Sequence, residues 1–147
     1  MAEKLAQTSY KLYIGLAVLG ILDAAYHAYS ELTQVFTSCN LTVHISCGSV
    51  FQFGYTTISG VPFWLLGVVW FPLMLILGLI LWNRSKLLLI PILFVGNMFT
   101  IYLWYLDLAV IWPAVHAICP VCVSLYVINY LMTIVVAASI YSDSKLD

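Results

Sequence analysis

Along this chain apolar residues run almost unbroken through four stretches, with polar residues gathered between them. The first stretch extends from about Leu12 to Ser30, between Lys11 and Glu31, and the second from about Pro62 to Trp82. The third runs from about Leu87 to Leu106 and the fourth from about Val115 to Ile140. Each is close to the roughly 20 residues that a helix needs to cross a hydrocarbon core. Only Asn83-Arg84-Ser85-Lys86 separates the second from the third, which predicts a tight antiparallel hairpin. The pattern predicts an all-α membrane protein, a four-transmembrane-helix bundle with a long outer loop between helices 1 and 2. Repeats and low-complexity segments are absent, so residues 1–147 read as a single membrane domain with no fused thioredoxin-like domain.

Composition sets the solvent. Hydrophobic residues make up 64% of the chain and charged ones 7%, and the mean hydropathy is +1.06. A soluble domain carries about 25% charged residues. A net charge of −1 and scattered carboxylates offer no field for nucleic acid. The Ala-Ala and Tyr-His-Ala that follow Asp23 are faintly cleavage-like, but apolar character continues towards Leu32, so the first stretch is expected to be a span rather than a signal peptide.

Charge then orients the bundle. The cations are Lys4, Lys11, Arg84, Lys86 and Lys145, whereas residues 31–60 and 107–114 contain no Lys or Arg. The positive-inside bias predicts cytoplasmic termini and two outward-facing connections in a multi-pass cell-membrane protein.

All four cysteines then fall on the outer side, where disulfides persist. Cys39 and Cys47 lie in the long connection, and Cys119-Pro120-Val121-Cys122 opens the fourth span. Pro120 suits a first helical turn. The free N–H groups and dipole of that turn favour a thiolate, and His116, three residues before Cys119, adds to this if protonated. Inert structural disulfides in a non-enzymatic membrane subunit are the alternative. A metal site is not expected, because Cys39-x7-Cys47 lacks ligand-like spacing.

Together these residues resemble the vitamin K epoxide reductase family in its single-domain form, over essentially the whole chain. Cys39-x7-Cys47 has the loop spacing of vertebrate members, and Cys47-Gly-Ser-Val-Phe51 is similar to their following segment. The run from Ser59 and Gly60 through Val61-Pro62-Phe63-Trp64 to Gly67 is similar to the bacterial opening of the second span. Cys119-Pro-Val-Cys122 is followed by Tyr126, as in the family. Two positions depart. Gln52 and Phe53 stand where many members carry Ser or Thr, with Thr56, Thr57 or Ser59 as substitutes, and Phe63 stands where vertebrate enzymes use asparagine. The second departure favours simple quinone reduction over epoxide chemistry, as in bacterial and archaeal disulfide-generating members.

The resemblance implies a quinone-coupled thiol-disulfide oxidoreductase, with vitamin K quinone or epoxide reduction as the other enzymatic reading. Cys39 is expected to exchange with a separate thioredoxin-like or DsbA-like partner, and Cys47 to pass the electron pair to Cys119. Cys122 is expected to meet a quinone of ubiquinone, menaquinone or vitamin K type. The loop from Thr37 to Ser49 must then be mobile. Tyr126, one helical turn beyond Cys122, would donate to a quinone carbonyl, and Phe63, Trp64 and Trp112 could wall the ring. Interface anchoring is the competing role for each aromatic residue. The protein is expected to act as a monomer in the lipid.

Other polar residues lie outside this scheme. Asp23 and His27 share a helix face near mid-membrane, as a hydrogen-bonded pair, a proton route or a lock between helices. Asn97 predicts an interhelical hydrogen bond. Asn40-Leu41-Thr42 is a glycosylation sequon, but sugar there would crowd Cys39.

Overall fold

The computed structural model describes residues 2–35, 39–52, 57–58 and 61–144, with residues 2–6, 51–52 and 57–58 in backbone only. Lys145 lies outside the described residues. The long helices are α1 (Ala2–Thr33), α3 (Phe63–Ser85), α4 (Leu89–Leu106) and α6 (Pro120–Asp143). Between α1 and α3 lie the short α2 (Cys47–Gln52) and the antiparallel pair β1 (Thr57–Ile58) and β2 (Val61–Pro62).

Among the described residues, three helical stretches, 7–33, 63–115 and 120–143, are long and apolar enough to cross a membrane. Four were expected. The difference lies at Lys86–Leu88, a 3-10 turn that carries α3 into α4 without a loop, so the two form one helical run. Ser85, at φ −163° and ψ 74°, breaks the path. Trp70 of α3 nevertheless sits against Gly96 of α4, although in a straight helix the two would stand roughly 39 Å apart. The run therefore folds back on itself.

A second difference concerns residues 107–114, expected as a connection. They continue the helix as a π-helical turn (Asp107–Ile111) and then α5 (Trp112–Val115). Apart from Asp107 their composition is apolar and favours no exposed loop, and Pro113 falls where a helix start tolerates it. The chain leaves the helix at His116, in the left-handed region at φ 49° and ψ 33°, which His adopts more readily than most residues. The last span accordingly begins at Pro120 rather than near Val115.

Helix α1 packs along both α3 and α6, while α4 packs on α6 and touches α3 much less. Buried Tyr13, Leu16, Ala17, Phe71, Met74, Leu93 and Met132 form the core. A Cβ on Gly78 would enter the Tyr13 ring and one on Gly96 the Trp70 ring, so each glycine lets an aromatic side chain lie against a helix backbone. Tyr13 is fully buried, and its hydroxyl donates to the Met74 carbonyl at 2.9 Å. Mid-bundle, Trp70 Nε1 donates to Asn129 Oδ1 at 3.0 Å, Asn129 Nδ2 to Asn97 Oδ1 at 2.7 Å, and Asn97 Nδ2 to Thr133 Oγ1 at 2.9 Å. This layer joins α3, α4 and α6 and gives Asn97 the interhelical bond expected of it. Apolar side chains such as Leu79, Ile80, Phe94 and Ile134 stay exposed around the outside, as lipid-facing positions would be.

Candidate functional site

Cys119 is the N-cap of α6, at φ −84° and ψ 109°, with Pro120 in the first turn. Its sulfur accepts from the Cys122 backbone N–H at 3.2 Å. That N–H is among those a helix start leaves without an intrahelical partner. Cys122, one turn in, brings its Sγ to 2.6 Å from Cys119 Sγ. Both carry free thiols.

The loop cysteines are delivered to this turn by hydrogen bonds. Ile118 N–H donates to His44 O at 2.9 Å and Ser46 N–H to Ile118 O at 3.2 Å, so residues 44–46 run as a strap beside the segment before Cys119. His44 Nδ1 donates to His116 O at 2.8 Å, which assigns the ring proton to that nitrogen. Asn40 Oδ1 accepts from Ser46 Oγ at 3.0 Å and from Gly48 N–H at 3.1 Å, closing the loop over α2. Cys47 opens α2 and is disulfide-bonded to Cys39, with Cα atoms 5.6 Å apart. Cys47 Sγ lies 3.3 Å from Cys119 Sγ. The sulfurs of Cys39, Cys47 and Cys119 lie within 4.8 Å of one another, and all three residues are buried.

Cys122 lies on the wall of a cavity of about 370 Å³, lined mainly by residues of α3, α4 and α6 with His27 and Glu31 of α1. Phe63, Leu66, Trp70 and Phe99 give it an apolar wall, and Tyr126, Asp107 and Asn129 are among its polar positions. Its volume is in the range of small-molecule sites. Of the expected ring-binding residues, Phe63 and Tyr126 line it, and Trp64 and Trp112 do not. Trp112 instead lies edge-on to the His116 ring, with centroids 5.9 Å apart, because α5 turns it outward. The expected loop hydroxyls fall at Thr56 and Ser59, which with Phe53 lie outside the described residues, as do the side chains of Gln52 and Thr57.

Two carboxylates have partners that no spacing announced. Asp23 accepts from the Ser124 hydroxyl, which ties α1 to α6 two residues beyond Cys122. Of the readings open for Asp23, the lock between helices fits this bond. His27 faces the cavity and points towards Glu31, with Nε2 4.0 Å from Oε2. Asp107 accepts from the Tyr126 hydroxyl at 2.9 Å. In the sequence Asp107 reads only as the polar end of an apolar run. The π turn that aims it into the cavity has no sequence signal short of the structure.

A family model matches residues 11–137, described as the vitamin K epoxide reductase family. The chain belongs to the vitamin K epoxide reductase family. No curated protein matches it. Vitamin K epoxide reductase family members are oxidoreductases linked to quinones or vitamin K. A disulfide, two free thiols and helices able to span a membrane agree with membership of such a family.

Proposed function

We propose that this protein is a quinone-coupled thiol-disulfide oxidoreductase that oxidises a thioredoxin-like or DsbA-like partner. The observation that carries the reading is the unbroken sulfur path from Cys39 through Cys47 and Cys119 to Cys122, ending on the cavity wall. In this reading the 63–115 run crosses the membrane twice, giving four crossings. The cysteines lie at the N-terminal end of α6, and Lys86, bonded to Ser139 at 2.8 Å, lies at its other end. The positive-inside bias then puts the cysteines on the extracytoplasmic face.

The cavity fits a quinone ring: aromatic and aliphatic side chains form the walls and a phenol hydroxyl supplies one polar handle. Bound there, a quinone supplies oxidising power by accepting an electron pair and two protons. The chain's own steps are thiol exchanges. A partner thiolate attacks Cys39, releasing Cys47 as a thiolate, and the second partner thiolate then attacks the sulfur joined to Cys39. With Cys119 and Cys122 oxidised, Cys47 attacks Cys119 and releases Cys122. Cys39 next attacks Cys47, which restores the loop disulfide and frees Cys119. A loop disulfide beside two thiols is the state that this sequence of exchanges would leave, and it supports the reading. Each exchange needs an attacking sulfur in line with a disulfide, and the 3.3 Å Cys47–Cys119 approach places these two in reach.

Phe63 on the cavity wall has no hydrogen-bonding group for an epoxide oxygen, which favours quinone over epoxide as substrate. The test is quinol formation by purified protein with a reduced thioredoxin-like partner. The reading expects turnover that Cys122→Ala abolishes. Turnover that survives Cys119→Ala and Cys122→Ala would leave the cysteines a structural role, and epoxide turnover would select the other enzymatic reading.

A further inference from the structure

The relay leaves one polar contact in the cavity unused. Asp107 stands on the π-helical turn, and its Oδ2 accepts from the Tyr126 hydroxyl at 2.9 Å. Both residues line the cavity that reaches Cys122. A phenol has one proton to donate, and an ionised carboxylate can only accept. With Asp107 ionised, the Tyr126 proton is committed to it, and Tyr126 faces the cavity as an acceptor. A quinone carbonyl is also an acceptor, so the two could not bond. With Asp107 protonated the pair reverses: the carboxyl donates to Tyr126 Oη, and the phenol proton is free to turn into the cavity. The π turn adds weight, since such turns inside helices are rare and frequent at functional sites.

We propose that Asp107 is a positioning and proton-supplying residue that acts through Tyr126. The proposal rests on the quinone reading above. The reduced pair is two thiols, so each sulfur brings a proton as well as an electron. Closing the Cys119–Cys122 disulfide forms one S–S bond, breaks two S–H bonds and releases an electron pair and two protons. Tyr126 gives its proton to one quinone oxygen while taking that of Asp107, and Asp107 is recharged by one of the protons the thiols shed, the other going to the second quinone oxygen. Two thiols and one quinone thus become one disulfide and one quinol, with atoms, electrons and charge in balance. Among the described residues, the other titratable groups on the cavity are Cys122 on α6 and His27 and Glu31 on α1.

The experiment uses the full chain in lipid nanodiscs, with dithiothreitol as donor and a short-chain benzoquinone as acceptor. An Asn amide at position 107 can still donate to Tyr126 Oη, but it carries no transferable proton. Asp107→Asn should therefore lower kcat about 100-fold, on the scale of losing a general acid, with KM for the quinone changed less than about threefold. It should flatten the pH profile of kcat, and Asp107→Glu should restore most of the rate. Asp107→Asn combined with Tyr126→Phe should be no slower than the slower single variant, because the two act in series. Independently of turnover, the infrared spectrum of quinone-free protein should lose a protonated-carboxyl C=O band in Asp107→Asn. The same band should shift in Tyr126→Phe.

A kcat within about threefold of wild type, a loss confined to KM, or multiplied losses in the double variant would each overturn the proposal while leaving the quinone reading intact. No quinol from wild type whose thiols still exchange would sink both. If Asp107→Asn does not fold, the Asp107→Glu profile and the infrared shift in Tyr126→Phe decide.

Discussion

The two ends of α6 are held in contrasting ways. At its N-terminal end the contacts are sulfur to sulfur: a disulfide between Cys39 and Cys47, and Cys119 within 3.3 Å of Cys47. A strap of backbone bonds at 44–46 keeps them in register. At its C-terminal end Lys86 is ion-paired with Asp143, bonded to Ser139 and seated 5.7 Å from the Trp82 ring centroid. Between the two ends the Trp70–Asn129–Asn97–Thr133 layer pairs polar groups that would be costly in lipid. One end is thus built from bonds that can be exchanged covalently, and the rest from bonds that only hold. The redox relay proposed above would need this division, since its loop would have to move while the cavity keeps its shape.

Perturbing each region sharpens the contrast. The largest effect is expected from Cys122→Ala, which should lower quinol formation by about 1,000-fold or more, the scale of removing a reacting nucleophile. Its thermal midpoint should stay close to wild type. Next, Cys39→Ala should abolish oxidation of a protein partner and spare much of the oxidation of dithiothreitol, measured as quinone loss with each donor. Equal loss with both donors would remove Cys39 from the docking role.

In the middle of the bundle, Asn129→Leu should cost about 1–3 kcal/mol of stability by leaving Trp70 Nε1 and Asn97 Oδ1 without a partner, read by denaturant titration in detergent. His44→Ala removes one side-chain bond from the strap, worth about 1 kcal/mol. It should speed reduction of the Cys39–Cys47 disulfide several-fold without changing the thermal midpoint by more than a few degrees. The smallest effect is expected from Lys86→Met, below about 1 kcal/mol because the pair is partly exposed. It should leave the redox rates alone, and a redox defect there would contradict the division between the two ends.

Much of this was legible in the chain. The unbroken apolar stretches predicted spanning helices because lipid leaves the backbone few other conformations. Cys119-Pro120-Val121-Cys122 predicted a helix start because proline tolerates only that part of a helix, and α6 begins there. Asn97 predicted an interhelical bond because a polar amide in lipid must find one. The connection at 107–114 was misjudged because a polar residue at the end of an apolar run has the same sequence signature whether it faces water or a cavity. That Trp64 and Trp112 lie off the cavity was illegible for a similar reason, since an aromatic near the membrane boundary suits an anchor and a pocket equally.

What the sequence by itself determined is therefore local: which segments are apolar, where a helix can begin, and which residues carry sulfur. The tertiary structure decided who meets whom. Asp23 finds Ser124, 101 residues away, and Cys47 finds Cys119, 72 residues away. Asp107 reaches Tyr126 only because a π turn redirects the helix face on which it stands. Such pairings depend on how helices pack and turn against one another, and periodicity within a single helix contains no record of its neighbour.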